Sequence, residues 1–176
     1  MALDGTIAGL AWGSVSNEAA LEQLMAQHER LVLRTALRLT GHLEDAQDAS
    51  QEVFLRLFRH IENVAPATVE AWLYRTTVNV CMDYHRRRPR ESEMVVEPSV
   101  EAAGTDALEN AAKRRLLEAG LAHLSPQERA AVVLCSIEGL STAAAAAAMG
   151  IAEGTVRSHL SLARTRLKEY VGRFWR

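Results

Sequence analysis

Residues 141–167, STAAAAAAMGIAEGTVRSHLSLARTRL, predict two short helices joined by a tight turn. The alanine run Ala143–Ala148 favours the first helix, and its small side chains let a second helix approach closely. Gly150 suits the left-handed conformation that ends a helix, and the second helix is expected to start near Thr155. A helix-turn-helix unit places its second helix in the major groove of DNA. An ordinary helical hairpin in a bundle shows the same bare pattern, so both interpretations stay open at this point.

The second of these helices divides into an apolar side and a basic side. At about 100° per residue, the apolar side consists of Val156, Leu160, Ala163 and Leu167. The opposite side carries Arg157, Ser158, Ser161, Arg164, Thr165 and Lys168. A solvated helix face normally mixes both signs of charge, whereas no carboxylate occurs between Arg157 and Lys168. Arg and Lys bind phosphates and guanine edges, and Ser and Thr bind phosphates or bases, so this half of the chain favours binding to duplex DNA.

The formal charge of −2 for 176 residues hides an alternation along the chain. Residues 1–70 carry a net charge of −5, residues 71–90 of +4, residues 91–128 of −5 and residues 129–176 of +4. Two basic blocks between acidic ones indicate two separate contacts with DNA. A low aromatic content, abundant Ala and Leu, and the lack of a β-type alternating run predict an all-α chain.

Two small helical domains are expected, because the segment Arg90–Ala107 between them has no helical periodicity. Pro98, Gly104 and several Glu and Ser residues are typical of a flexible acidic linker. The predicted division is a flexible tail over residues 1–17, a first domain over residues 18–90, the linker over residues 91–107 and a second domain over residues 108–176.

The second domain carries clear helix boundaries before the helix-turn-helix. Ser125, Pro126, Gln127 and Glu128 form a capping box with proline at the first helical position. The helix that starts there is expected to stop near Gly139. Ser141 can then cap the first helix of the helix-turn-helix.

Several classes of site are not indicated. Cys81 and Cys135 have no partner at metal-ligand spacing, so no metal site or disulfide is expected and both are predicted to be buried apolar residues. None of the six histidines forms a motif with a nucleophile or a metal ligand, so we expect no enzyme and no cofactor. Neither a signal peptide nor a membrane-spanning segment is indicated, which predicts a cytoplasmic protein without membrane insertion.

In the first domain, the sequence EDAQDASQEVFLRLFRH predicts an amphipathic helix over residues 44–60. Its predicted apolar face consists of Leu43, Ala46, Val53, Phe54, Leu57 and Phe58. The opposite face carries Asp45, Asp48, Glu52, Arg56 and Arg59. A solvated surface stripe is the usual meaning of such a pattern. Leu55 falls beside the charged stripe, and an exposed leucine next to spaced carboxylates favours a surface that docks on another protein.

A third helix, over about residues 68–88, has an aromatic side chain on its basic side. That side carries Trp72, Arg75, Thr76, Asn79, Asp83, Arg86 and Arg87, and the other carries Leu73, Thr77, Val80, Cys81 and Tyr84. Unstacked bases can stack on an aromatic ring while guanidinium groups hold phosphates. Equally, Trp72 can pack against the preceding loop while the arginines complete a helix C-terminus, where cations are favoured. The helix alone leaves both possibilities open.

Taken together, the two halves resemble the extracytoplasmic-function (ECF) class of bacterial sigma factors, in the sigma-70 family. The resemblance runs from about Leu21 to Tyr170. It rests on three blocks in this order: ALRLTGHLEDAQDASQEVFLRLFRH, AWLYRTTVNVCMDYHRRR and LSPQERAAVVLCSIEGLSTAAAAAAMGIAEGTVRSHLSLARTRL. It implies a promoter-recognition subunit of bacterial RNA polymerase without catalysis of its own. The implied partners are the polymerase core, promoter DNA and an anti-sigma factor.

The resemblance also implies roles for individual residues. Docking on the core falls to Asp45, Asp48, Gln51, Glu52 and Leu55. Recognition of the melted minus-ten element falls to Trp72, Arg75, Asn79, Arg86, Arg87 and Arg88. Recognition of the duplex minus-thirty-five element falls to Thr155, Arg157, Ser158, His159, Ser161 and Arg164.

The chain departs from the family pattern in three places. Ala143 and Ala144 stand where glutamates are usual, and Ala152 stands where a small polar residue often caps the recognition helix. Leu162 is expected on the DNA side, where it can contact a thymine methyl group. The loop over residues 62–68 lacks the glycine and basic residues that are common in the family's minus-ten specificity loop, and Pro66 makes it stiffer.

Two other classes of protein are alternatives. A conventional helix-turn-helix regulator would bind DNA without acting as a polymerase subunit, but it has no need of the first domain. A helical adaptor or anti-sigma antagonist would bind protein and not DNA, and the two basic blocks argue against it.

Overall fold

A computed structural model describes residues 17–87 and 115–172 of the chain. The described residues form helices and turns with no strand, which confirms the predicted all-α class. The predicted linker over residues 91–107, the tail before residue 17 and Arg88 lie outside the described residues.

The first domain is a bundle of three helices. Helix α1 spans Asn17–Thr40, α2 spans Leu43–His60 and α3 spans Val69–Arg87. Two short 3₁₀ turns, Ile61–Asn63 and Pro66–Thr68, join α2 to α3. All three helices contact one another. The core between them contains the fully buried side chains of Val32, Leu39, Val53, Leu57, Leu73 and Val80.

Within residues 115–172, the second domain has four helices. The described part of α4 covers residues 115–122, and α5 spans Pro126–Val132. As predicted, Ser125 and Glu128 form a reciprocal capping box with Pro126 in the first turn. The helix then widens into a π turn over Val133–Ile137 and ends before Gly139, whose φ of 79° suits only glycine well. The predicted stop near Gly139 is therefore confirmed.

The predicted helix-turn-helix follows. Helix α6 spans Thr142–Met149, and Ser141 caps it by accepting a hydrogen bond from the amide of Ala144 at 3.1 Å. Gly150 ends α6 in the left-handed conformation, with φ 67° and ψ 32°. Helix α7 spans Glu153–Gly172, so it starts two residues before the expected Thr155.

The two domains pack against each other through α6 on α3 and through α1 on α5 and the π turn. Because of this contact, α3 is buried on two sides. Leu73 and Val80 belong to the first domain's core, while Tyr74 and Val78 are buried on a second side that the sequence pattern did not predict.

Three side chains that were predicted to be buried are exposed or only half-buried. Leu43 and Phe58 were placed on the apolar face of α2, but Leu43, the first residue of the helix, is 54% exposed, and Phe58 is 42% exposed. Phe58 lies about 100° around the helix from the buried Leu57, at the margin of the buried face. Cys135 is half-buried instead of buried, whereas Cys81 is buried as expected. Cys135 lies in the π turn, where the extra residue per turn changes which side chains face inward.

Candidate nucleic-acid and protein-docking surfaces

Helix α7 is supported by a narrow buried stripe. Val156, Leu160 and Ala163 are buried, and Leu167 is half-buried. This is the apolar side that the 3.6-residue period predicted. The stripe packs against α5 and α6, so the remaining circumference of α7 faces away from both helices.

The exposed side of α7 carries most of the residues predicted to approach duplex DNA. Thr155, Arg157, Ser158, Ser161 and Arg164 are all exposed. His159 differs, because it is half-buried and its Nδ1 atom is buried without a hydrogen-bond partner within the described part of the chain. Five of the six predicted residues therefore share one solvent-facing surface.

The first turn of α7 has no capping side chain at residue 152, but the carboxylate of Glu153 forms two hydrogen bonds there. The side chain of Ala152 cannot accept a hydrogen bond, but Glu153 accepts one from the Thr142 hydroxyl at 2.6 Å and one from Arg157 Nη1 at 2.9 Å. The first contact ties α7 to α6. The second holds Arg157, whose side chain is 63% exposed, in the N-terminal part of α7.

Leu162 projects from the same part of α7 into solvent and is 54% exposed, as the sequence predicted. An apolar side chain of this size between exposed serine and arginine residues can contact a thymine methyl group.

Helix α3 presents a narrower face. Arg75 and Asn79 are exposed and Trp72 is half-buried against the core, while Thr76 is buried and so leaves the predicted basic side. At the C-terminal end, Arg86 and Arg87 are exposed. Arg86 Nη2 lies 2.5 Å from Asp83 Oδ1, and its side chain is 75% exposed.

The loop before α3 is short and contains two 3₁₀ turns. Pro66 occupies the first turn of the second 3₁₀ segment, and the Thr68 hydroxyl donates to the Ala65 carbonyl at 3.0 Å. Ile61 and Val64 are buried and anchor the loop to the first domain. Residues 65–68 are exposed beside the start of α3, close to Trp72 in sequence.

The predicted docking stripe on α2 is exposed at three of its five positions. Asp48, Gln51 and Leu55 are exposed, Leu55 at 50%, and Glu52 is half-buried with an ion pair to Arg56 at 2.7 Å. Asp45 is only 7% exposed, so its prediction as a surface residue was wrong. It lies in the first turn of α2, close enough to α3 for its charge to act on Cys81, Tyr84 and His85.

A groove of about 380 Å³ runs between the docking stripe and α3. Its walls are formed by Asp48, Gln51, Glu52, Leu55, Arg56, Val80, Asp83, Tyr84 and Arg87. Burial raises the pKa of Tyr84, and the negative charges of Asp48 and Asp45 raise it further. The groove therefore joins an exposed leucine, a protonated phenol and several carboxylates, a mixture suited to a protein partner with basic and apolar side chains.

Four charged residues between the two domains were not predicted from the sequence. Arg34 and Arg38 of α1 contact Glu138 after the π turn, and the buried Arg129 of α5 reaches the backbone of α1. A charged residue directly beside an apolar stretch, such as Arg129 before AAVVL, is a weak signal in the sequence for such a contact. The distant partner of each is invisible without the fold.

Within residues 17–87 and 115–172, no group of three His, Cys, Asp or Glu side chains is placed to hold a metal ion. None of the helices described there is both long and apolar enough to cross a membrane.

Comparison with known families matches both domains. The model for sigma-70 region 2 matches residues 24–91, and the model for sigma-70 region 4 matches residues 114–167.

Curated relatives match over most of their lengths. The chain is 38% identical over 175 residues to the ECF RNA polymerase sigma factor SigE of Mycolicibacterium smegmatis, covering 96% of this chain and 68% of the relative. It is 37% identical over 160 residues to the ECF RNA polymerase sigma factor SigL of Mycobacterium tuberculosis, covering 86% and 89%. It is 36% identical over 149 residues to the RNA polymerase sigma-E factor of Streptomyces coelicolor, covering 84% of each.

Solved structures share the fold. The sigma factor RpoE of Bartonella quintana, in complex with the anti-sigma factor NepR, superposes with a TM-score of 0.69 at 24% identity, covering 87% of this chain and 97% of that one. CnrH, in complex with the cytosolic domain of CnrY, superposes with a TM-score of 0.65 at 24% identity, covering 89% and 90%.

Proposed function

This chain belongs to the ECF class of sigma-70 family RNA polymerase sigma factors, and we propose on that basis how its surfaces divide the work of promoter recognition. It directs promoter-specific initiation of transcription as a subunit that binds the polymerase core and promoter DNA. Sigma factors are initiation factors and not catalysts, and we infer that the same holds for this chain.

The first domain, residues 18–90, serves as region 2 in this proposal, and the second, residues 108–176, serves as region 4. Residues 91–107 connect them. The ranges of the two family models support this division, because the first lies on α1–α3 and the second on α4–α7.

The polymerase core docks on α2. Asp48, Gln51, Glu52 and Leu55 carry this contact, supported by their exposure along one side of the groove beside α3. Asp45 acts indirectly, since its buried carboxylate lies between α2 and α3 and helps to fix the position of the groove walls.

The melted minus-ten strand lies along α3. Trp72 offers part of its ring for stacking, Arg75 and Asn79 extend the surface, and Arg86, Arg87 and Arg88 hold the backbone phosphates at its end. Exposed guanidinium groups beside an accessible aromatic ring support this assignment. The loop over residues 65–68 flanks the bases that are read.

The minus-thirty-five duplex lies against α7. Arg157, Arg164, Ser158, Ser161 and Thr155 approach the major groove, and their common exposure supports the assignment. His159 takes a lesser part, as its half-buried ring supports the helix more than it reaches outward. Leu162 adds an apolar contact in the groove.

An anti-sigma factor is a further partner in this proposal. RpoE and CnrH, which share the fold, are each seen in complex with NepR or CnrY, and NepR is an anti-sigma factor. The chain acts in the cytoplasm, where RNA polymerase and the chromosome are found.

One observation carries the proposal: two separate helices, each in a domain matched by a different sigma region, expose basic and polar side chains to solvent. Run-off transcription with cognate core enzyme and genomic templates tests it. The core with this chain is expected to start at discrete sites, and the core alone is not. Specific DNA binding without initiation at any template would favour a conventional helix-turn-helix regulator.

The docking surface has its own test. Asp48→Arg combined with Glu52→Arg is expected to weaken binding to the core at least tenfold, because two carboxylates of the stripe become repulsive. Glu29→Arg combined with Glu22→Arg makes the same charge change on exposed positions of α1 and serves as the control. Equal core affinity for the stripe variant and the wild type would reject this surface.

A further inference from the structure

The carboxylate of Glu153, the first residue of α7, holds an arginine on the exposed side of that helix. Arg157 Nη1 donates to Glu153 Oε1 at 2.9 Å from one helical turn away. The side chain of Arg157 is 63% exposed and that of Glu153 is 40% exposed. An exposed ion pair at this spacing contributes little to folding stability. Its main effect is on the position of the guanidinium group.

The carboxylate is itself fixed by the other helix of the helix-turn-helix. The Thr142 hydroxyl donates to the same Oε1 atom of Glu153 at 2.6 Å. Thr142 is the first residue of α6, next to Ser141, which caps that helix. Helices α6 and α7 pack against each other. The Arg157 guanidinium is therefore held relative to both helices.

Arg164 lies on the same side of α7 but is not held in this way. It follows Arg157 by seven residues, so the two side chains leave the helix in directions about 20° apart. Arg164 is exposed, and it forms no ion pair with any residue that the structure describes. The charge of Arg157 is offset by a neighbouring carboxylate, whereas that of Arg164 is not.

This difference predicts different contacts with duplex DNA. A guanidinium that moves freely suits phosphates, which lie along the whole duplex and carry no sequence information. A guanidinium held in one orientation loses less rotamer freedom on binding. Its remaining N–H groups can donate to O6 and N7 of a guanine, while the carboxylate beside it repels phosphates. Arg157 is therefore better suited to a base edge than Arg164 is.

Two hydroxyl groups on this side of α7 are already used as donors within the helix. Ser158 Oγ donates to the Gly154 carbonyl at 3.0 Å, and Thr165 Oγ1 donates to the Ser161 carbonyl at 3.2 Å. A hydroxyl has a single proton, so neither group has one left for a base. The guanidinium of Arg157 keeps free donors in a fixed position beside them.

We propose that Glu153 determines specificity in the minus-thirty-five contact, because it positions Arg157 to read one guanine in the major groove and weakens the attraction of Arg157 to phosphates. Glu153 is a positioning residue, since it acts through Arg157. The inference rests on the proposed role of α7 and deepens it by naming how one base pair is distinguished.

Binding of a set of duplexes to polymerase core carrying the chain tests this proposal. The reference duplex carries a minus-thirty-five element from start sites mapped by run-off transcription, and each further duplex changes one base pair of it. The wild type is expected to prefer one G·C pair by about tenfold or more over its replacements. Glu153→Ala removes both the charge and the acceptor, so it should reduce this preference to about threefold or less and leave the preferences at other base pairs unchanged.

Sequence-independent binding should change in the opposite direction. Without the carboxylate, Arg157 acts as a phosphate-binding cation, so Glu153→Ala should bind a scrambled duplex of equal length about threefold more tightly, with a steeper salt dependence. Glu169→Ala makes the same substitution at an exposed position of α7 and is the control. It should leave the preference at the guanine unchanged.

A double-mutant comparison separates positioning from a structural effect. Arg157→Ala should lose the preference at the same base pair, and adding Glu153→Ala to it should have no further effect on that preference. A merely structural role of Glu153 at the contact of α6 with α7 would weaken the preferences at all base pairs together, and that result would overturn the inference. So would an effect of Glu153→Ala that persists without Arg157.

Failure of this inference and failure of the proposed function give different results. A wild type that prefers no base pair of the minus-thirty-five element would reject the duplex-reading role of α7 and the inference with it. A wild-type preference that Glu153→Ala leaves intact would reject only the role of Glu153.

Discussion

The two helices that are proposed to bind DNA differ in how much of their surface is buried. Helix α7 buries one narrow stripe and leaves most of its circumference in solvent, whereas α3 is buried on two sides and exposes only a narrow face. A broadly exposed helix fits the wide major groove of a duplex. The narrow face of α3, with a partly exposed Trp72 ring beside the exposed Arg75 and Asn79, fits a single strand whose bases stack one at a time.

This difference predicts that the two helices respond differently to loss of an apolar side chain. Leu73 of α3 is fully buried, so Leu73→Ala is expected to lower the free energy of unfolding by about 3 kcal/mol. Leu162→Ala makes the same change at a 54% exposed position of α7 and should cost less than about 0.5 kcal/mol. Urea unfolding followed by circular dichroism measures both. Similar losses in the two variants would contradict the contrast.

A charge change on α7 should act on DNA binding and not on folding. Arg157→Glu with Arg164→Glu replaces two exposed cations with anions, so affinity for a minus-thirty-five duplex should fall by about 2 kcal/mol, or roughly thirtyfold. Arg30→Glu with Arg59→Glu changes as much charge at exposed positions of α1 and α2 and is the control. If both pairs weaken binding equally, net charge and not the α7 surface governs the affinity.

Helix α7 packs on α6, so the stability of α6 also affects the exposed surface of α7. Ser141→Ala removes the cap on the Ala144 amide and should cost about 1 kcal/mol of stability. Ser161→Ala, at an exposed position on α7, should change stability by much less. Thermal unfolding of both variants decides this, and an equal shift in Tm would mean that the cap contributes little.

The smallest expected effect is on the pH dependence of the free energy of unfolding, and it involves His85 of α3. Burial lowers the pKa of His85 below its ordinary value of 6.5, and the nearby charge of Arg129 lowers it further. The folded state therefore prefers the neutral imidazole, so its contribution is fully present above about pH 6.5 and is lost as the pH falls towards the lower folded-state pKa.

The check compares urea midpoints at pH 7.5 and pH 5.5. Wild type should lose more stability on acidification than His85→Gln, because the substitution removes this titration while other groups continue to titrate in both chains. An identical pH dependence in the two chains would show that His85 does not contribute.

Local patterns in the sequence predicted much of this fold. The Ser125 capping box, the Ser141 cap and the left-handed Gly150 depend on residues within a few positions of each other, and all three were predicted. The buried stripe of α7 was also predicted, because one regular helix packing on one neighbouring surface gives a clear 3.6-residue period.

Features that depend on distant contacts were not predicted. Tyr74 and Val78 are buried on a second side of α3, and Glu138, which contacts the Tyr74 hydroxyl, lies 64 residues further along the chain. Asp45 was predicted on an exposed stripe but is buried. Helical periodicity predicts on which side of a helix a residue lies, but it does not predict how much of that side a neighbouring helix covers. The partners of Glu138 were invisible for the same reason.

The most direct test of the division between α3 and α7 uses two DNA probes designed from start sites mapped by run-off transcription. One probe is a minus-thirty-five duplex and the other a single-stranded minus-ten segment, each bound by polymerase core carrying the chain. Arg75→Glu is expected to weaken binding of the single strand and leave the duplex unaffected, whereas Arg157→Glu with Arg164→Glu should do the reverse. Equal losses on both probes, or the opposite pattern, would contradict the assignment of the two helices.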